Sequence, residues 1–145
     1  MASTTTTDTP RAGEHRIQCV VVTPEKTLFD EAVDFVALPL SDGELGVLPG
    51  RSPIIGRLGF GELRTRTGGT TRRYFVDGGF AQIRDDVVTL LTNRAIPAEK
   101  VDAASASKEL EAAQGRPTPT EYDQAEKQKA VARARAQIRV AAREG

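Results

Sequence analysis

The order of apolar and polar residues predicts β-strands from Ile17 to Ile96. "IQCVVVTP" begins at Ile17 with a run rich in β-branched residues and ends at Pro24. In "GELRTRT", residues 61–67, charged side chains occupy alternate positions, as in a strand that exposes one face. "RRYFV", "FAQI" and "VVTLLT" are separated by "DGG" and "RDD", which predicts three consecutive strands joined by tight turns. Short strands with no helices between them favour a sandwich or barrel over a parallel sheet.

The pattern changes near Pro97, after which glycine becomes rare and alanine common. Small apolar residues then recur at helical spacing and predict one face of a first helix. The members of this face are Ala103, Ala106, Leu110 and Ala113. Gly115 follows as a natural C-terminal stop for that helix.

A second helix is predicted from Thr120, a candidate N-cap, to the end of the chain. Glu121 and Asp123 suit the positive end of its dipole. One face of this helix is apolar and consists of Val131, Ala134, Ile138, Ala141 and Ala142. Positive side chains project from the remainder, namely Lys129, Arg133, Arg135, Arg139 and Arg143. Because alanine-rich faces bury little area, we expect the helical hairpin to be weakly held and able to detach.

Charge and cysteine content narrow the classes of function. Among the 145 residues, 20 are basic Lys or Arg and 20 are acidic, so the net charge is zero. A neutral chain gives no reason to expect general affinity for nucleic acids or membrane surfaces. Cys19 is the only cysteine, which excludes an internal disulfide and fits a reducing compartment.

These patterns divide the chain into three parts. Residues 1–15 are rich in threonine and lack the apolar segment of a secretory signal, which predicts a disordered tail. Residues 16–97 are predicted to form a β-sandwich domain, and residues 98–145 a helical hairpin domain.

The sequence lacks the residues that most catalytic sites need. His15, the only histidine, lies in the predicted tail, so neither a Ser–His or Cys–His pair nor a His/Cys metal site is expected. No P-loop occurs, and "GFGELR" is a strand flanked by glycines rather than a dinucleotide motif. Asp85 and Asp86 are predicted to form a charged turn between two strands. We therefore expect a protein without catalytic residues of its own.

Two longer motifs carry a family resemblance. "SDGELGVLPGRSP", residues 41–53, resembles the GELG-I-x-PGH-x-P signature of the epsilon subunit of bacterial F-type ATP synthase. "FVDGGFAQIRDDVVTLL", residues 75–91, is similar to that family's F-V-S-G-G-F-x-E-V-x-x-N-x-V-T-V-L stretch. "VVTPEKTLFDEAV" resembles its opening strands and "EYDQAEKQKAVARARAQIRV" its last helix. The resemblance implies an antiparallel β-sandwich of about ten strands in two sheets, followed by an antiparallel two-helix hairpin.

The resemblance also implies a role and a set of partners. It implies a non-catalytic rotor subunit of the central stalk, which couples ion translocation through the membrane sector to ATP synthesis. The sandwich would bind the gamma subunit and the ring of c subunits. The hairpin would either fold against the sandwich or extend to the alpha and beta catalytic subunits, where it restrains ATP hydrolysis. The implied location is peripheral, on the cytoplasmic face of the bacterial cell membrane, with membrane contact only through the complex.

The resemblance assigns two groups of residues to interfaces. Glu44 and Arg51 match positions in the c-ring contact region, although the family has a histidine where this chain has Arg51. Arginine retains a positive charge but does not titrate near neutral pH. The basic residues of the second helix would contact acidic segments of the catalytic subunits. The alternative for both groups is that these residues are simply exposed to solvent.

A third motif departs from the family pattern. Some members bind ATP through I/L-D-x-x-R-A at the start of the first helix, and here the matching residues are "VDAASA". Asp102 and Ala106 are retained, but Ser105 replaces the arginine. Serine lacks the fork of donors that an arginine offers to phosphate, so we expect weak or absent ATP binding and no cofactor.

Two other functions remain as alternatives. The chain could be a free-standing β-sandwich interaction module with a helical dimerisation tail, which would not co-purify with gamma. A nucleic-acid binder that uses the arginine-rich helix is disfavoured, because aromatic residues are only 5% of the chain and the net charge is zero.

Overall fold

The structure is a computed structural model that describes residues 16–142. The predicted tail, residues 1–15, and Arg143 lie outside the described residues. Strands fill the N-terminal part of the described chain, and two α-helices follow. Of the helices between residues 16 and 142, none combines the length and the apolar composition that a membrane span needs.

Eight strands form the β-domain within the described residues. They are β1 Ile17–Val22, β2 Thr27–Val33, β3 Phe35–Leu40, β4 Gly43–Val47, β5 Ile54–Thr67, β6 Thr70–Arg84, β7 Val87–Leu91 and β8 Ala95–Pro97. The hydrogen-bonded order is β2-β1-β7-β6-β5-β3-β4, and β8 pairs with β6. The continuous sheet folds over on itself into the two layers of a sandwich, and buried side chains from seven strands meet in one apolar core.

The eight strands of the described residues correct the expectation of about ten, and the predicted "DGG" turn lies inside a long strand. β5 has 14 residues and β6 has 15, and β6 runs through the "DGG" segment that predicted a turn. Gly78 and Gly79 have φ values of +69° and +114°, which bend the strand without ending it. A Cβ atom on Gly79 would lie 1.9 Å from the carbonyl oxygen of Leu91, so only glycine fits there.

The sheet is also not entirely antiparallel. β1 runs parallel to β7, with Gln18 opposite Val87 and Val22 opposite Leu91. The remaining strand pairs are antiparallel. Sequence periodicity does not distinguish the two arrangements, since a half-buried strand alternates in the same way in both.

The sandwich core is made of aliphatic side chains from seven strands. Its fully buried members include Ile17, Val21, Leu38, Leu63, Val88 and Leu90. Cys19 lies in this core with no exposed surface, and burial raises the pKa of its thiol to about 12. The thiol is therefore protonated and unreactive in the folded protein.

A short 3-10 turn, Ala98–Lys100, connects the sandwich to helix α1, Ala103–Gln114. As predicted, α1 ends at Gly115, whose N–H donates to the carbonyl oxygen of Glu111. Helix α2, Glu121–Ala142, follows and packs against α1. The predicted N-cap is confirmed, because the Thr120 hydroxyl oxygen accepts from the Asp123 N–H at 3.1 Å.

The buried face of α2 differs from the predicted apolar face. Its buried residues are Ala134, Ala136, Gln137 and Val140. Ala142, which was predicted to be on the apolar face, is exposed. The difference arises because α2 contacts two partners, α1 on one side and β5 and β6 on another, so its buried surface is wider than one stripe.

Candidate functional site

The most informative region is where α2 rests on the outer face of the sandwich. Its apolar centre contains Phe75, Ala98, Ala136 and Val140, all buried. Phe60, Ile96 and Val101 pack around them. We call these seven residues the docking contact. Since α2 contributes only one alanine and one valine to it, the apolar area that holds the helix is small.

A buried carboxylate lies at one edge of the docking contact. Asp77, on β6, is only 7% exposed. Its Oδ1 accepts from Nε of Arg133 on α2 at 2.8 Å, and its Oδ2 accepts from Nε of Arg94 at 3.1 Å. The Arg133 guanidinium also lies 4.9 Å from the centre of the Phe60 ring. Asp77 is therefore shared by one arginine of the sandwich and one of the hairpin.

A second polar contact binds the C-terminal end of α2. Arg73, on β6, donates from Nη2 to the carbonyl oxygen of Val140 at 2.8 Å. That carbonyl belongs to the last turn of the helix, where carbonyl groups lack partners within the helix and the dipole is negative. Nε of Arg73 lies 2.6 Å from Oε2 of Glu62, and both side chains are about 10% exposed. Arg73 therefore caps α2 from the sandwich.

The charge network extends from the docking contact to Glu44. Nη1 of Arg64 is 3.2 Å from Oε1 of Glu62 and 3.2 Å from Oε2 of Glu44. Glu44 lies on β4 opposite Pro39, and its side chain is half exposed. Glu44 is thus in a strand and paired with a cation.

Arg51 lies in the loop between β4 and β5 and is exposed. The neighbouring Gly50 donates its N–H to Oδ1 of Asp86 at 2.7 Å. Asp85 and Asp86 have φ values of 52° and 62°, so the predicted charged turn is confirmed. This turn holds the Arg51 loop against the end of the sandwich.

The basic residues of α2 do not form one solvent-facing set. Lys129, Arg135 and Arg139 are exposed, and Lys129 lies 3.7 Å from Glu126 of the same helix. Arg133 instead faces the sandwich, with its side chain 33% exposed. The prediction that it projects away from the apolar face is wrong, because Asp77 and Phe60 bind it. Arg143 lies outside the described residues.

The residues of "VDAASA", which match the family's ATP-binding motif without its arginine, form the start of α1. Asp102 is its N-cap, and Oδ1 accepts from the N–H groups of Ala104 and Ser105. Ser105 also donates its hydroxyl to Oδ2 at 2.9 Å. These hydrogen bonds, the Ser105 hydroxyl first, hold the pKa of Asp102 below its ordinary value. Ala106 is fully buried. The N-cap preference of aspartate was a local signal that would have predicted this role.

An apolar surface lies on another part of the sandwich. Ile55, Phe80 and Leu91 are 77%, 52% and 53% exposed, although all are in strands. Leu91 lies between Phe80 of β6 and Val22 of β1, since it pairs with both. We call Val22, Ile55, Phe80 and Leu91 the apolar sheet face. Large exposed side chains grouped on one sheet surface indicate a protein interface.

Within residues 16–142, no group of three or more His, Cys, Asp or Glu side chains is arranged to hold a metal ion.

Comparison with known proteins identifies the family. A family model described as "ATP synthase, Delta/Epsilon chain, beta-sandwich domain" matches residues 16–98. The chain is also 59% identical over 102 residues to the ATP synthase epsilon chain of Rhodopirellula baltica. The chain belongs to the ATP synthase epsilon-chain family. The match to that relative covers 70% of this chain and 80% of the relative. The family that the motifs indicated is therefore confirmed.

Other epsilon-chain relatives and solved structures agree with this assignment. The epsilon chain of Pelotomaculum thermopropionicum is 42% identical over 96 residues, which are 66% of this chain and 72% of that one. A chain of the mitochondrial ATP synthase structure from Euglena gracilis aligns with a TM-score of 0.75 at 27% identity, covering 83% of this chain and 78% of that one. A chain of the Tetrahymena thermophila mitochondrial ATP synthase aligns with a TM-score of 0.72 over 92% of this chain and 99% of that one, and at 12% identity it supports the fold alone. An epsilon chain is a subunit of the ATP synthase complex. The family model ends at residue 98, before the helical hairpin.

Proposed function

We propose that this epsilon chain is a non-catalytic subunit of the central stalk of a bacterial F-type ATP synthase. It couples ion translocation through the membrane sector to ATP synthesis, and its hairpin restrains ATP hydrolysis when it is released from the sandwich. The bacterial epsilon-chain relatives support the first part. The similar chain from Euglena gracilis, at 27% identity, belongs to an assembly that includes a c-ring. The docking contact supports the second part.

The apolar sheet face is the proposed gamma-binding surface. Ile55, Phe80 and Leu91 are exposed while α2 is docked, so this apolar patch is available in both hairpin positions. Arg57 lies opposite Phe80, with its guanidinium 5.8 Å from the ring centre, and adds a polar rim. Apolar centres with polar edges are typical of stable protein interfaces.

The c-ring contact is proposed at Glu44 and at the loop that carries Arg51. The hydrogen bond from Gly50 to Asp86 fixes this loop before binding, so docking orders little additional chain. Glu44 is already paired with Arg64, and it presents a half-exposed carboxylate to a partner. In the complex, the chain is peripheral on the cytoplasmic face of the membrane and touches the bilayer only through its partners.

The position of Arg133 carries the proposal that the hairpin is a releasable brake. In the docked state this arginine is bound to Asp77, whereas Arg135 and Arg139 are exposed. Release of α2 would free Arg133 to join them and present a longer basic surface to acidic segments of the alpha and beta subunits. Because the apolar area of the docking contact is small, the free energy needed to release α2 is low enough for release to occur at ordinary temperature.

Hydrolysis of ATP by an epsilon-depleted catalytic sector tests this proposal. The assay compares the full chain with a chain that ends at Lys100. We expect both to bind gamma and only the full chain to slow hydrolysis. If both bind and neither slows hydrolysis, the proposal that the hairpin restrains hydrolysis is wrong, and a structural coupling role remains. If neither binds gamma, the rotor assignment is wrong and the free-standing interaction module takes its place.

A further inference from the structure

The two arginines that share Asp77 differ in how they are attached. Arg94 belongs to the sandwich, and the segment around it is fixed to β6 because the Asp77 N–H donates to the Arg94 carbonyl oxygen at 3.2 Å. The Thr92 hydroxyl oxygen accepts from the same N–H and donates to the same carbonyl. Arg133 belongs to α2 and leaves with it. One carboxylate thus has a permanent cation and a removable one.

We propose that Asp77 is a shared carboxylate that sets the balance between the docked and released hairpin, with Arg133 favouring docking and Arg94 favouring release. The inference rests on the proposed function, since it concerns the release of the same hairpin. Arg94 favours release because it remains bound to Asp77 after α2 has left. The carboxylate is then never without a cation, and its loss of Arg133 costs less.

The physical argument for Arg94 has two parts that act in the same direction. Asp77 is 7% exposed while α2 is docked. If Arg133 were its only cation, opening would leave the carboxylate without one, so a second arginine that stays bound lowers the cost of opening. In the docked state, moreover, Arg94 and Arg133 approach the same carboxylate and their positive charges repel each other. Removing Arg94 should therefore stabilise the docked hairpin.

The same geometry predicts the opposite effect for the other two residues. Arg133→Met removes the cation of α2 but keeps an apolar side chain over Phe60. Asp77→Asn removes the negative charge that both arginines share. Both changes should favour release. Two arginines on one carboxylate are thus expected to have effects of opposite sign, which a purely structural cluster would not produce.

The experiment measures hairpin opening in the isolated full chain through a buried reporter. Ala136 is fully buried in the docking contact, so an Ala136→Cys thiol reacts with a small thiol reagent only when α2 leaves the sandwich. Cys19 has no exposed surface and lies in the separate sandwich core, so it reacts only on global unfolding. Each variant is made in the Ala136→Cys background, and mass spectrometry follows both thiols.

We expect Asp77→Asn and Arg133→Met to speed labelling at position 136 about tenfold, because each change removes a hydrogen bond to a charged group that holds α2 in place. We expect Arg94→Met to slow it about threefold, with Cys19 unlabelled throughout. Arg94→Gln should act like Arg94→Met, which guards against a packing effect of methionine. Arg84→Met, an exposed arginine remote from Asp77, is the matched control and should leave the rate unchanged.

Labelling that is faster or unchanged in both Arg94 variants would overturn the proposal. So would an unchanged rate in Asp77→Asn and Arg133→Met. The assay contains no catalytic sector, so its outcome is independent of the brake. Opposed effects on labelling together with a failure to inhibit hydrolysis would support the shared carboxylate and reject the proposed function of the released hairpin.

Discussion

Nη2 of Arg73 lies 2.8 Å from the carbonyl oxygen of Val140, so a residue of the sandwich caps the last helix. We predict that Arg73→Met weakens docking of the C-terminal end of α2 by about 1–2 kcal/mol, because a buried charged donor to a helix terminus is lost. Amide hydrogen exchange in the last turn of α2 measures the effect. Arg72→Met is the matched control, since Arg72 is adjacent but exposed and pairs with Glu31. Equal exchange in both variants would contradict the cap.

The N-cap at Asp102 gives a prediction about pH. Hydrogen bonds from Ser105 lower the pKa of Asp102 from 3.8. A depressed pKa in the folded state means that the stabilisation is complete above pH 3.8 and is lost as the pH falls through the folded value. We expect the NMR chemical shift of the Ser105 N–H, which reports on the Asp102 carboxyl, to change with a midpoint below pH 3.8. Ser105→Ala, which removes the main cause, should raise the midpoint, and a midpoint that does not change would contradict this account.

ATP binding to the hairpin is predicted to be weak or absent. Ser105 donates to Asp102 at 2.9 Å and has no charged donor to offer a phosphate. Isothermal calorimetry with the full chain tests this prediction. Ser105→Arg should increase ATP affinity, whereas Ser107→Arg, at a nearby exposed position, should not. A tight and specific ATP complex of the unaltered chain would contradict the prediction.

Inhibition of hydrolysis is predicted to weaken as ionic strength rises. Lys129, Arg135 and Arg139 are exposed, and exposed charges interact through a screened field. We expect the concentration for half-inhibition to rise several-fold between about 0.05 M and 0.5 M salt. Binding of the chain ending at Lys100 to gamma, which uses the apolar sheet face, serves as the control and should change little. An inhibition constant that is indifferent to salt would exclude charge as the cause.

Features that depend on neighbouring residues could be predicted from the sequence. The end of α1 at Gly115, the N-cap of α2 at Thr120 and the turn at Asp85 and Asp86 were all found, because each is set by local hydrogen bonds and backbone preference. The division into strands followed by helices rests on the same kind of local periodicity.

Features that depend on distant residues could not be predicted from the sequence. The glycines after Asp77 resemble a turn, and only the close approach of Leu91 requires them within a continuous strand. Arg133 lies in a row of similar basic residues, and its partner Asp77 is 56 positions away in the sequence. Periodicity therefore gave no means of separating the docked arginine from the exposed ones.

The most direct test of the account is the hydrolysis of ATP by an epsilon-depleted catalytic sector with added Asp77→Asn chain. Asp77 binds Arg133 of α2. It is not one of the basic helix residues that are proposed to contact the catalytic subunits. We predict that the variant inhibits at about a tenfold lower concentration than the unaltered chain, because more of its hairpins are released. Equal or weaker inhibition by the variant, with gamma binding intact, would contradict the claim that a docked hairpin is a brake held in reserve.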